Sequence, residues 1–127
     1  MKYFIICPVR NATEQQKQEI ADIITAIEHL GHSVYYPARD TNQEDETGYR
    51  ICTDNKNAIR DADIVLVYYD KNSSGTLFDL GVAFALDKEI VILNEVEDGN
   101  GKSFSRMIQD WESRSLPDTG GLESFEF

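Results

Sequence analysis

The sequence predicts a single α/β domain of the flavodoxin-like or Rossmann-like kind: a parallel sheet of four or five strands, order 2-1-3-4-5, with helices on both faces. Three observations predict it. Short apolar runs rich in β-formers alternate with longer segments of helical periodicity along the whole chain, as right-handed βαβ crossovers require. One run, residues 64–69, is continuously apolar, as a strand buried on both faces must be. The 127 residues, 41% of them hydrophobic, suffice for one core and not for two, so residues 1–127 read as one domain.

Residues 2–7 are a compact apolar run closed by Pro8, a buried first strand. A helix starts over 11–13. Thr13 and Gln16 have capping-box spacing, Ile20, Ile23, Ile24, Ile27 and Leu30 recur at helical intervals, and Gly31 supplies the stop. Residues 33–36 are a short strand ended by Pro37. From 38 to 48 the chain is polar and acidic, with Asp40, Glu44, Asp45 and Glu46, and reads as a loop with freedom to move. Residues 49–61 carry a weaker helical pattern through Ile51, Cys52, Ala58 and Ile59, and 64–69 are the central strand. Residues 73–76 open a helix whose apolar positions, from Leu77 to Leu86, are broad enough to lie flat on a sheet. Residues 89–93 are the next buried strand, 94–102 a polar loop, 103–113 a helix, and 122–127 alternate like an edge strand.

Twelve basic residues against twenty-three acidic ones leave a formal charge of -11 without a basic stripe, which argues against nucleic-acid or anionic-membrane partners. Cys7 and Cys52 have no CxxC partner, so neither a disulfide framework nor a zinc site is indicated and a reducing cytoplasm fits best. The N-terminal apolar run is too short for a signal peptide, and no stretch approaches membrane-spanning length. His29 and His32 straddle Gly31 at a helix end and read as surface histidines rather than a metal pair. Asp61 and Asp63 read as caps at the start of the third strand, while Trp111 and Phe104 suit a core or an interface equally.

In this strand order ligands bind outside the carboxyl ends of strands one and three, which singles out residues 7–11 and 70–76. Ser73-Ser74-Gly75-Thr76 precedes Leu77-Phe78-Asp79-Leu80-Gly81. Backbone N–H groups at a helix N-terminus, beside hydroxyls and a glycine, make a small-anion cradle and equally an ordinary N-cap. Asp79 also has two readings. As a capping-box carboxylate it bonds the Thr76 N–H; as a functional group it attacks an electrophilic sugar carbon to form a covalent ester.

Taken together, Tyr3-Phe4-Ile5-Ile6-Cys7-Pro8-Val9-Arg10, the pair Ala62-Asp63, the run from Ser73 to Gly81 and Ser105-Arg106-Met107-Ile108 resemble the nucleoside 2-deoxyribosyltransferase family. The resemblance includes the family's branch of 2'-deoxynucleoside 5'-phosphate N-hydrolases and runs from Lys2 to about Ile108. It implies that Asp79 is the nucleophile, although the family's usual residue there is glutamate, one methylene longer. It directs Arg10 at a 5'-phosphate and places Ser73 where transferases of free nucleosides carry an aspartate. Ser105 matches a serine that a neighbouring subunit contributes, which implies a homodimer or larger assembly. A second-helix aspartate of the family falls on Asn55, with Asp54 one residue away. A first-strand tyrosine that orients the nucleophile falls on Tyr3 or, with the register anchored on Arg10, on Phe4, and Tyr3 is preferred. Pro8 and Gly75 complete the expected substrate contacts.

The activity so implied is N-glycosidic cleavage of a (deoxy)nucleoside 5'-monophosphate by a carboxylate nucleophile, with a small-molecule nucleotide as partner and no metal or organic cofactor. Hydroxyls and a guanidinium suit a phosphate, which a carboxylate would repel. Two alternatives stand beside it: a deoxyribosyltransferase of free nucleosides, and a non-catalytic nucleotide-binding module whose site has degraded with the change to aspartate.

Overall fold

The computed structural model describes residues 1–97 and 101–115. Four strands, β1 (Lys2–Ile6), β2 (Ser33–Tyr35), β3 (Ile64–Val67) and β4 (Ile90–Ile92), form an all-parallel sheet in the order β2-β1-β3-β4. This is the expected order for four strands; the edge strand expected over 122–127 lies outside the described residues. β1 sits between β2 and β3, with Tyr3 opposite Val34 and Ile64 and with Ile6 opposite Val67.

Alternation along β1 divides the core. Tyr3, Ile5 and Cys7 point to one face, where helix α1 (Glu14–His29) buries Ile20, Ile24 and Ile27 against Val34, Ile64 and Leu66. Phe4 and Ile6 point to the other, under α3 (Tyr49–Asp61), α4 (Ser74–Ala85) and α5 (Phe104–Ser115), which contribute Ile59, Leu80, Ala83, Ile108 and Trp111. Each fully buried isoleucine contributes about 1.5 to 3 kcal/mol relative to exposure. Helices thus cover both faces, one against three.

The start of α1 matches its sequence signal. Thr13 Oγ1 accepts from the Gln16 N–H and Gln16 Oε1 accepts from the Thr13 N–H, both at 3.0 Å. Past its end Gly31 takes φ +92°, a left-handed conformation that a residue with a Cβ adopts only under strain.

The segment read as a loop over 38–48 requires a correction. Pro37 ends β2 and at the same time starts a one-turn helix, α2 (Pro37–Asp40), because proline at the first helical position lacks only an N–H that would have no helical partner. Asp40 Oδ2 accepts from the Tyr36 N–H at 2.9 Å. The rest of the segment is tied down: the Arg50 guanidinium donates to the carbonyls of Asn42 and Glu44, and Asp45 Oδ2 accepts from the Ile51 N–H.

At the amino end of the sheet, Asp63 Oδ2 accepts from the Lys2 N–H at 2.8 Å, and Lys88 Nζ donates to the carbonyls of Arg60 and Ala62. Trp111 Nε1 donates to the Lys88 carbonyl at 3.0 Å, and the Trp111 ring meets Phe84 edge to face. Trp111 is therefore a core residue, whereas Phe104 is 61% exposed. Among the described residues no helix is long and apolar enough to cross a membrane.

Candidate active site

The carboxyl ends of β1 and β3 are neighbours, so the turn after β1 and the loop after β3 open on the same crevice. α4 begins there. Its N-cap is Ser73, whose Oγ accepts from the Thr76 N–H at 3.2 Å. Asp79 is therefore not a capping-box carboxylate: the cap lies six residues earlier, and the Thr76 N–H is already taken.

Asp79 lies half-buried one turn beyond Thr76. α3 packs beside α4, and the Asp79 charge is felt by Cys7 at the end of β1 and by Cys52 on α3. Among the described residues nothing hydrogen-bonds or ion-pairs with its carboxyl. Burial without a compensating partner disfavours the charged form, and the Asp79 pKa is pushed up to about 7. The Cys7 thiol, deeply buried, is pushed up to about 12, first by burial and then by the Asp79 charge. Both cysteines therefore remain thiols at neutral pH; their electrostatics suit no nucleophile.

Arg10 lies exposed in the turn after β1, followed by Asn11 at φ +66°, a conformation asparagine tolerates better than most residues. Among the described residues its guanidinium has no hydrogen-bond or ion-pair partner. Pro8 is buried at the start of that turn. Gly75 is exposed in the first turn of α4, and a Cβ built on it meets nothing within 4 Å, so packing within the chain does not require glycine.

The remaining expected site residues divide. Asn55 is buried, and its Oδ1 accepts from Thr41 Oγ1 at 2.8 Å; Thr41 Oγ1 also meets the Tyr35 hydroxyl at 2.6 Å, so this amide anchors the loop after α2 to α3. Asp54 instead pairs with Arg50 at 2.9 Å. Ser105 stands in the first turn of α5, partly exposed.

The structure does not bring Tyr3 to Asp79. Tyr3 is near the amino end of β1 and on the α1 face, with its hydroxyl 3.3 Å from Met1 Sδ, its ring edge-on to His32, and Asp63 close enough to raise its pKa after burial has done so. The physical reason is strand alternation: the α4 face receives positions 4 and 6. Phe4 occupies that face, fully buried and stacked on Tyr35, and it carries no hydroxyl.

Sequence reasoning missed two tyrosines at the crevice. Tyr68, just past β3, donates to Glu19 of α1 and has its pKa pushed up to about 12 by burial and then by that bond. Tyr36, just past β2, lies near enough to Cys7 for the thiol to raise its pKa after burial has done so. Their signal was positional: each is the first residue after its strand, where side chains address the switch point. Among the described residues no group of three or more His, Cys, Asp or Glu could hold a metal ion.

Comparison with known proteins bears on the family and the fold. Residues 7–111 match the family described as nucleoside 2-deoxyribosyltransferase. Among solved structures, a 2-deoxyribosyltransferase from the psychrotolerant bacterium Bacillus psychrosaccharolyticus is similar with a TM-score of 0.70 and 22% identity, covering 100% of this chain and 93% of that one. The Clostridium botulinum CMP N-glycosidase BcmB is similar with a TM-score of 0.59 and 24% identity, covering 87% of this chain and 81% of that one. At these identities the likeness is one of fold. No curated protein sequence matches the chain.

Proposed function

Because the chain belongs to the nucleoside 2-deoxyribosyltransferase family, we propose that it cleaves the base–sugar bond of a nucleoside 5'-monophosphate, with Asp79 as the nucleophile. The observation that carries this reading is the Asp79 carboxyl, half-buried at the crevice, without a structural partner among the described residues and pushed up to about 7. A carboxylate with a purely structural role is normally paired or capped; one left in a cleft with a perturbed pKa is a candidate for chemistry. In the proposed step an Asp79 oxygen forms a bond to C1', the C1'–N bond breaks with its electron pair leaving on the base, and the base takes up a proton. Water then adds to C1', losing a proton, and Asp79 departs as the carboxylate.

The phosphate preference rests on Arg10, which is exposed and unpaired among the described residues, and on the N-terminus of α4 with Ser73 and Gly75 beside it. In this reading the active form is a homodimer or larger, with Ser105 reaching the site of the other subunit. The fold neighbour that acts on CMP makes CMP the first substrate to test.

The test is incubation with ribo- and deoxyribonucleoside 5'-monophosphates and the matching nucleosides, with free base read by chromatography. Base release from a monophosphate, abolished in Asp79→Ala, supports the proposal. Base exchange between free nucleosides that is indifferent to Arg10→Ala favours the transferase instead. Binding without release at high protein concentration favours a nucleotide-binding module, a reading motivated by the side chain being one methylene shorter than the family's glutamate.

A further inference from the structure

Asp79 has a neighbour whose own chemistry is incomplete. Thr76 is fully buried at the third position of α4, and among the described residues its Oγ1 is the sole buried side-chain nitrogen or oxygen without a hydrogen-bond partner. Native proteins rarely leave such groups unsatisfied, and an exception calls for an explanation. Capping does not supply one, because Ser73 serves the Thr76 N–H and the Thr76 hydroxyl plays no part in the cap.

Position supplies the explanation. Residues three apart on a helix are surface neighbours, with Cβ atoms about 5 to 6 Å apart. An oxygen reaching from each brings a hydroxyl and a carboxylate within hydrogen-bond range after a side-chain rotation. The other elements packed against Asp79 offer it little. The titratable groups facing it among the described residues are Cys7 from β1 and Cys52 from α3, both thiols and both weak donors. Phe4, on the β1 face turned toward α4, has no hydroxyl, and the Tyr3 hydroxyl lies on the far face against Met1.

We propose that Thr76 is the positioning residue of Asp79: its Oγ1–H donates to the Asp79 carboxylate when that group ionises, holding one oxygen and leaving the other to react. The inference deepens the reading of Asp79 as nucleophile, and it supplies from α4 itself the hydroxyl that position 4 of β1 lacks. A hydroxyl donating to the ionised form favours ionisation, so removing it raises the Asp79 pKa. A hydrogen bond to a charged group corresponds to about one to two pH units.

The test is a carboxyl-carbon NMR titration of Asp79 in the wild-type protein, Thr76→Val and Thr76→Ser. Thr76→Val should raise the Asp79 midpoint by about one to two pH units, and Thr76→Ser, which keeps the hydroxyl, should leave it near the wild-type value. An unmoved midpoint in Thr76→Val overturns the proposal, as does a shift in Thr76→Ser equal to that in Thr76→Val. If Thr76→Val fails to fold, Thr76→Cys, a weak donor of similar volume, replaces it with the same expected shift. The titration needs no substrate, so absence of base release would defeat the proposed function while leaving this inference separately decided.

Discussion

Asp79 should destabilise the fold that contains it, and Asp79→Asn tests this directly. The folded pKa is about 7 against an ordinary value of 3.8, with burial as the cause. Because the folded value is raised, the neutral form is the one the fold favours. Wild-type stability is therefore fully present below about pH 4, falls as pH rises toward 7, and levels off above it. The difference of about three units, at 1.36 kcal/mol each, sets a ceiling of about 4 kcal/mol. A hydrogen bond from Thr76 on ionisation would reduce this to about 2 kcal/mol. For a chain of 127 residues, each kcal/mol moves Tm by about 4 °C. Thermal unfolding of wild type and Asp79→Asn from pH 4 to pH 8 should give nearly coincident Tm values at the acid end. At pH 8 the Asp79→Asn protein should melt roughly 8 to 16 °C higher than wild type. The change cannot come from other carboxylates, which titrate alike in both proteins. Parallel Tm curves, or a variant less stable at pH 8, would refute the reasoning and return Asp79 to a structural role.

Base release should fall about tenfold per pH unit on the acid side, with a midpoint between the ordinary carboxylate range and about 7, because Asp79 as the proposed nucleophile must be ionised; a flat profile from pH 5 to 8 contradicts that assignment. Arg10→Ala should raise KM for a monophosphate about tenfold or more while leaving KM for the matching nucleoside within about twofold, consistent with loss of one charge-assisted contact. Gly75→Ala should fold with unchanged or slightly higher Tm, because a Cβ there meets nothing within 4 Å, yet bind monophosphate several-fold more weakly by titration calorimetry. Trp111→Phe should cost about 1 to 3 kcal/mol in urea unfolding through loss of its bond to the Lys88 carbonyl and of ring volume, without changing KM.

Local signals were the legible ones. The capping box at Thr13 and Gln16 and the N-cap at Ser73 depend on residues within one turn, and the sheet order follows from alternation and handedness. Pro37 was harder to read because proline is compatible with the end of a strand and with the first position of a helix. Tyr3 illustrates a different limit: a one-residue shift of register exchanges the faces of a strand, and the Tyr3-Phe4 pair offers an aromatic to each face. The state of Asp79 was not legible at all. Its burial is made by α3 and β1, whose closeness to α4 exists only after three crossovers have closed, and the same is true of the proximity of Cys7, Cys52 and Asp79.

The central place of β1 bears on the order in which the molecule comes together during synthesis. β1 pairs on one side with residues 33–35 and on the other with residues 64–67, so during synthesis it waits for two successive partners. Through that interval Phe4 and Ile6, on the face that α3, α4 and α5 later cover, lack their cover. In the proposed site Arg10 and Asp79 belong to different units, the turn after β1 and helix α4, and α4 has its place only once β3 has docked. A nascent chain arrested before residue 64 therefore carries Arg10 without Asp79, and the proposed site is assembled in a single late event rather than by degrees.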